Sequence, residues 1–178
     1  MQQRHRELRG RAQALLRLLV IRPATAADRD AIWTALEPVV RAGEVYALPR
    51  ELTREAGLAY WFSPTHEVYV CEQDRQLLGT YYLRPNQQGA GSHVANCGYL
   101  TSSAAEGRGI ARAMCTHSLA RAREAGYRAM QFNFVVATNA RAVALWTAMG
   151  FATVGRLPGA FAHPTRGDVD ALVMYRTL

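Results

Sequence analysis

The spacing of apolar residues along the chain predicts an alternation of strands and helices. Apolar residues recur at helical spacing over 26–43 and 109–125, and two further helices are predicted at 51–61 and 139–149. Segments that alternate apolar and polar residues, or are apolar throughout, predict strands instead. The predicted strands cover 17–22, 66–74, 76–85, 93–101, 127–138, 151–156 and 169–177, and 157–168 is predicted as a loop.

The order of these elements, β-α-α-β-β-β-α-β-α-β-β, predicts the α/β class. A turn at Asp74–Arg75 joins the second and third strands into a hairpin. The strand–helix–strand unit over 93–138 predicts a right-handed crossover between parallel strands. With no repeat and no linker, one domain is expected over 17–178, preceded by an Arg-rich extension at 1–16.

The amino-acid composition excludes several classes of catalytic chemistry and binding site. The chain has 178 residues and a formal net charge of +7, and it contains no Lys, which excludes Schiff-base chemistry. The extension at 1–16 favours a solvated arm over a nucleic-acid contact. The N-terminal segment lacks the features of a signal peptide, and no apolar stretch is long enough to span a membrane. A cytoplasmic protein is therefore expected. The His and Cys spacings predict no metal site.

Two glycines around an arginine, Gly107 to Gly109, precede the predicted helix 109–125. Free backbone N–H groups at a helix start, with no Cβ atoms to hold a phosphate away, make an anion cradle. A plain glycine turn is the alternative. A dinucleotide-binding turn would need a third glycine where Arg112 stands, and a P-loop would need a Lys.

Two sequence blocks resemble the GNAT superfamily of N-acetyltransferases. The stretch E-G-R-G-I-A at 106–111 is similar to the pyrophosphate motif (Arg/Gln)-x-x-Gly-x-(Gly/Ala), with Glu106 where the family usually has Arg or Gln. The stretch N-A-R-A-V-A-L-W-T-A-M-G-F at 139–151 resembles the later helix, N-x-x-A-x-x-L-Y-x-x-x-G-F. The resemblance covers 18–177 and implies a GNAT-like fold with a partly splayed mixed sheet.

The resemblance implies that acetyl-CoA binds as co-substrate between the strands 93–101 and 128–137, without a metal. It also implies a homodimer. Arg108 and Arg112 would add positive charge near the phosphates, although a solvated helix face explains Arg112 equally well. The implied cofactor-binding residues are Tyr99, Leu100 and Thr101 beside the pantetheine, and Gly107, Arg108, Gly109, Ile110 and Ala111 at the pyrophosphate.

Three asparagines are the candidates for positioning the reactants. Asn96 and Asn133 lie mid-strand, where a buried amide needs partners, so they either face the cleft or belong to a satisfied core network. Asn139 is expected both to cap its helix and to contact the pantetheine. Trp146 stands where the family often has a Tyr, and its N–H cannot serve as a general acid.

The sequence leaves several possibilities for the acceptor substrate and for the general base. The favoured function is direct acetyl transfer to the amine of a small molecule in a ternary complex. A non-catalytic acyl-CoA-binding module and a peptide or protein N-acetyltransferase are the alternatives. The spacing of Asn133 and Asn139, Trp146 and the C-terminal segment are also similar to fungal acetyltransferases of azetidine-2-carboxylate and related proline analogues. Candidate bases are His93, Glu44, Glu67 and Asp168, and candidate acceptor-site residues are Tyr46, Tyr60, Trp61, Phe161 and His163.

Overall fold

Seven strands form one mixed sheet in a computed structural model that describes residues 19–178. The predicted extension at 1–16 lies outside the described residues. The strands are β1 (Val20–Pro23), β2 (Glu67–Gln73), β3 (Gln76–Pro85), β4 (Val94–Thr101), β5 (Ala129–Val136), β6 (Ala152–His163) and β7 (Gly167–Thr177), in the sheet order β1-β2-β3-β4-β5-β7-β6. The helices are α1 (Arg29–Ala42), α2 (Arg54–Trp61), α3 (Ile110–Glu124) and α4 (Ala140–Ala148).

Local sequence explains where the helices begin and end. The Thr53 hydroxyl accepts a hydrogen bond from the Ala56 N–H at the start of α2, and the Asn139 side chain accepts one from the Ala142 N–H at the start of α4. Helix α1 ends at Gly43, which adopts a left-handed conformation with φ of 65°. Pro38 lies inside α1 without dividing it.

The helices cover opposite faces of the sheet and form two apolar cores. Helices α1 and α2 pack on one face around Leu36, Leu58 and Trp61. Helices α3 and α4 pack on the other face around Met114 and Trp146. The sheet supplies alternate residues to each core, so that Tyr82 faces α1 and α2 whereas Tyr81 faces α3.

Strands β4 and β5 run parallel but pair over only two residues. The paired positions are Val94 with Ala129 and Ala95 with Met130. Beyond them the strands separate, and the register of β5 with β7 is irregular between Phe132 and Val135. This confirms the predicted mixed, partly splayed sheet and its parallel crossover, and it leaves a gap in the middle of the sheet.

The predicted loop over 157–168 is wrong. Strand β6 continues to His163, and β7 begins at Gly167 after a short turn. Pro158 and Gly159 made this stretch read as a loop, but β6 is an edge strand, where a missing backbone donor is tolerated. The register shift between Leu157 and Phe161 absorbs these residues, so turn-forming residue types occur here inside a strand.

Gly57 provides a test of how tightly α1 and α2 pack. A Cβ atom at Gly57 would lie 2.4 Å from the Trp33 ring, so we expect Gly57→Ala to lower the free energy of unfolding by about 1–3 kcal/mol. Gly155→Ala is the control, since its Cβ would lie 3.6 Å from the nearest atom. Urea denaturation measures both variants, and equal midpoints for the two would show that the helices move apart freely.

Candidate active site

A cleft of about 290 Å³ passes through the gap between β4 and β5. Side chains from both faces of the sheet line it, together with the segment that follows α1. On the α1 and α2 side the lining residues include Tyr46, Tyr60, Tyr82, Arg84, Asn96 and Asn133, and on the α4 side they include Phe132, Asn139, Ala142 and Trp146. The gap therefore connects two chemically different chambers, one polar and one mostly apolar.

The open edge of β4 presents backbone groups to this gap. The Asn86 N–H donates to the Val94 carbonyl on the β3 side, whereas the Arg128 N–H donates to the His93 carbonyl on the β5 side. Because backbone groups alternate along a strand, the odd-numbered residues of β4 face the gap. Cys97, Tyr99 and Thr101 follow the last pair with β5 and so face the gap without a partner strand.

Leu100, which was expected beside the pantetheine together with Tyr99 and Thr101, is directed differently. It pairs with Thr80 in the β3 ladder, so its backbone groups face β3. Its side chain is buried in the core beneath α1 and α2. The open edge is therefore made by Tyr99 and Thr101, with Cys97 as a neighbour that the sequence pattern did not indicate.

Tyr46 holds the segment after α1 against the open edge. Its hydroxyl donates a 2.6 Å hydrogen bond to the Tyr99 carbonyl. Burial raises the pKa of Tyr46 well above its ordinary value, so the hydroxyl stays protonated near neutral pH. The Tyr99 carbonyl is thus already hydrogen-bonded, and the Tyr99 N–H is the backbone group that stays open towards the gap.

The glycine turn lies between β4 and α3, after a short 3-10 turn at Ser103–Ala105. Gly107 and Gly109 adopt φ values of 73° and 78°, and no heavy atom lies within 4 Å of where a Cβ would be on either residue. The Arg108 N–H donates to the Ala105 carbonyl at 3.3 Å. Within residues 19–178 the N–H groups of Gly107, Gly109, Ile110, Ala111 and Arg112 have no acceptor.

Two buried hydroxyls at the ends of the splayed strands also lack partners. Ser102 follows β4 and Thr138 follows β5, and neither hydroxyl oxygen has a hydrogen-bond partner among the residues that the structure describes. Buried polar groups are normally paired. Together with the free N–H groups of the glycine turn, they fit a polar, anionic ligand that enters between the strand ends.

The charged residues in and beside the glycine turn contact different parts of the protein. The Arg108 guanidinium donates to the Gln73 side chain at 2.7 Å, towards the β2–β3 hairpin. The Arg112 guanidinium lies 3.4 Å from the Met149 sulfur, beyond α4. Glu106 is exposed and forms a 3.2 Å ion pair with Arg141 at the start of α4. Its negative charge is therefore paired with an arginine of α4 at the surface.

The three candidate asparagines all line the cleft, and each already has partners. Asn96 Nδ2 donates to the Gln131 carbonyl at 2.9 Å, so a side chain bridges β4 and β5 where the backbone ladder stops. Asn133 Nδ2 donates to Asn86 Oδ1 at 2.7 Å, and its own Oδ1 accepts from Gln131 Nε2 at 2.8 Å. Asn139 caps α4 as expected. The core-network and cleft-facing interpretations therefore hold at once.

Trp146 and Tyr99 form the apolar wall of the cleft. Their ring centroids are 4.9 Å apart, and Trp146 also packs edge-on against Phe132 at 5.0 Å. The Tyr99 hydroxyl is directed into the α3 core, 2.7 Å from the Ser118 hydroxyl. Burial raises the pKa of the Cys97 thiol to about 12, so at neutral pH it is not a nucleophilic thiolate.

None of the four candidate bases lines the cleft. Glu67 pairs with Arg121 at 2.9 Å on the α3 side, and His93 is exposed with its Nδ1 3.0 Å from the Ala90 carbonyl. Glu44 and Asp168 are exposed as well. Of the candidate acceptor-site residues, Tyr46 and Tyr60 line the cleft, whereas Trp61 is fully buried in the core.

Two important lining residues, Tyr82 and Arg84, were missed because they lie inside an ordinary-looking strand. Tyr82 Oη lies 3.1 Å from Tyr60 Oη, and its ring stacks on His66 with centroids 4.1 Å apart. Their orientation towards the cleft follows from the alternation of side chains along β3 together with the position of the gap.

No grouping of three or more His, Cys, Asp or Glu that could hold a metal occurs in residues 19–178. Over the same range, no helix is long and apolar enough to cross a membrane.

Comparison with known proteins agrees with this geometry. Residues 29–151 match the model of the acetyltransferase (GNAT) family. The chain is 28% identical over 151 residues to N-acetyltransferase aca1 of Schizosaccharomyces pombe, covering 75% of this chain and 72% of that protein.

Solved structures share the complete fold. A GCN5-related N-acetyltransferase from Kribbella flavida is 41% identical, with a TM-score of 0.87 over 91% of this chain and 99% of that one. A phosphinothricin acetyltransferase from Sinorhizobium meliloti, solved in complex with acetyl-CoA, has a TM-score of 0.81 at 23% identity, over 90% and 89% of the two chains. With its family model, its cleft through a splayed sheet and these relatives, the chain belongs to the acetyltransferase (GNAT) family.

Proposed function

We propose that this protein transfers an acetyl group from acetyl-CoA to the amine of a small molecule, by direct attack within a ternary complex. The observation that carries the proposal is the cleft through the sheet. Polar side chains line the cleft on the α1 and α2 side, and the open edge of β4 that borders it leads on along the chain to the glycine turn with its free N–H groups. Donor and acceptor can approach from opposite faces and meet where β4 and β5 separate.

Acetyl-CoA is the donor that this architecture favours. The free N–H groups at Gly107 and Gly109–Arg112, at the positive end of the α3 dipole, suit a pyrophosphate. The open edge at Tyr99 and Thr101 suits the amide groups of a pantetheine arm. The Sinorhizobium meliloti relative of the same fold was solved with acetyl-CoA.

The residues of the cleft have separable tasks in the proposed reaction. Acetyl-CoA supplies an acetyl group that is activated as a thioester. The Tyr99 N–H donates a hydrogen bond to the acetyl carbonyl oxygen, which stabilises negative charge as it develops there. Asn96 and Asn133 position the amine, and Trp146 closes the apolar wall against water. Direct attack is favoured over an acyl-enzyme because the Cys97 thiol, with its pKa near 12, stays protonated.

The amine must lose its proton without help from a carboxylate. The described residues that line the cleft include no Asp, Glu or His. The proton therefore leaves the ammonium group to water, and the neutral amine attacks. With Trp146 in place of a Tyr, the departing thiolate is protonated by water or by the proton of the attacking amine.

Gly109 tests the donor site against a matched control. Gly109 and Gly126 have φ values of 78° and 84° and open space at the Cβ position, but Gly126 lies at the far end of α3. We expect Gly109→Ala and Gly126→Ala to cost similar stability, about 1–2 kcal/mol each. Only Gly109→Ala should weaken acetyl-CoA binding, at least tenfold, in isothermal titration calorimetry. Equal affinities for the two variants would remove the glycine turn from the donor site.

The acceptor role of the asparagines is tested by turnover. We expect Asn133→Ala to lower kcat/KM for an acetylated amine by about 10- to 100-fold, the effect of losing one positioning hydrogen bond of 1–3 kcal/mol. Asn96→Ala should lower it further, because it also removes the bridge to Gln131. Acetyl-CoA affinity serves as the control and should change little in Asn133→Ala.

Thiol release from acetyl-CoA across an amine library measures both variants and the parent enzyme. Full activity in both variants would contradict their assignment. Tight acetyl-CoA binding with no turnover on any amine would instead indicate a non-catalytic binding module, and turnover confined to peptide N-termini would replace the small-molecule acceptor.

A further inference from the structure

Arg84 is the single charged side chain among the described residues that line the cleft. It lies on β3 directly opposite Asn96 of β4 and is partly buried. Side chains alternate along β3, so Arg84 shares a face with Tyr82, on the α1 and α2 side of the sheet. Its charge therefore stands in the acceptor chamber and not in the donor half of the cleft.

The guanidinium group is oriented by one hydrogen bond and otherwise uncommitted. Arg84 Nε donates to Asn96 Oδ1 at 3.1 Å, and Asn96 is itself fixed by its 2.9 Å bond to the Gln131 carbonyl. The arginines that form ion pairs with carboxylates are Arg22, Arg41, Arg54, Arg121, Arg141 and Arg156. Over the range 19–178, Arg84 has no such carboxylate, and the two Nη groups have no protein acceptor.

A partly buried guanidinium without a carboxylate partner can be stabilised by an anionic ligand. The planar fork of a guanidinium matches the two oxygens of a carboxylate or the oxygens of a phosphonate. The Asn133 amide and the Tyr60 hydroxyl also line the cleft and are further polar groups on this side of the sheet. The chamber thus has the features of an oxyanion subsite.

The subsite lies at a useful distance from the reacting atoms. Arg84 and Asn96 stand opposite each other, and Tyr82 and Gly98 form the next pair on this face, towards the open edge at Tyr99. Two residues of strand span about 7 Å. An acceptor bound by an oxyanion at Arg84 would reach this edge with an amine that lies only a few bonds from the anion.

We infer that the acceptor is a small amine that also carries a compact oxyanion, and that Arg84 binds this anion and so selects the substrate. The inference rests on the proposed acetyl transfer, which it makes more specific.

The first test compares acids with their neutral counterparts. We expect the enzyme to acetylate amino carboxylates with kcat/KM values well above those of the matching primary carboxamides. Arg84→Gln should lower kcat/KM for the carboxylates by about 10- to 100-fold, the value of a charge-assisted hydrogen bond, and change it less than threefold for the carboxamides. Arg84→Lys should recover part of the preference. Arg128→Gln, an exposed arginine at the start of β5, is the control and should match the parent enzyme.

Aminomethylphosphonate, tested beside glycine, distinguishes a phosphonate-selective subsite from a carboxylate-selective one. A parent enzyme that acetylates carboxamides as well as acids would overturn the inference. An Arg84→Gln variant that loses activity equally on both would do the same, since that result indicates a structural role.

A binding measurement separates this inference from the proposed reaction. In the presence of CoA, calorimetric titration with N-acetylglycine and N-acetylglycinamide should show tighter binding of the acid, and Arg84→Gln should abolish the difference. Equal affinities in the parent enzyme would overturn the subsite. A clear difference without turnover of any amine would support the subsite and contradict the acetyl transfer.

Discussion

The separation of β4 from β5 is the constraint on which the rest of this structure depends. Two parallel strands pair at Val94–Ala129 and Ala95–Met130 and then leave their facing backbone groups unpaired in the middle of a sheet. Such groups are costly unless something else satisfies them. Part of the answer comes from side chains, since Asn96 bonds the Gln131 carbonyl and Tyr46 bonds the Tyr99 carbonyl. The groups that stay open are the ones available to a substrate.

The separation of β4 from β5 also gives the cleft an apolar side and a polar side. On the α3 and α4 side, Tyr99, Phe132 and Trp146 make an apolar wall. On the α1 and α2 side, amide side chains and one guanidinium line the cleft. Because side chains alternate across a strand, neighbouring residues of β4 face opposite sides of the sheet.

Sequence reasoning could propose a glycine turn but not the charged residue of the cleft. Gly107 and Gly109 lie in a short contiguous block before a helix, so the turn is indicated by local order and spacing alone. Arg84 and Tyr82 lie in a strand whose pattern is that of any buried hairpin, and nothing local marks their orientation. The candidate bases Glu67 and His93 likewise show no local sign of orientation, and neither lines the cleft.

The sequence by itself determined the α/β class, the order of elements, the Asn139 cap and the glycine turn, because each depends on residues that are neighbours along the chain. It misread 157–168, where an edge position tolerates residues that usually end a strand. Only the tertiary structure decided which backbone edge of β4 is open, how Glu106 is neutralised by Arg141, and that Arg84 faces the cleft without a carboxylate. These properties arise from contacts between segments that are distant along the chain, where the register of strands and the width of a gap set what each side chain meets.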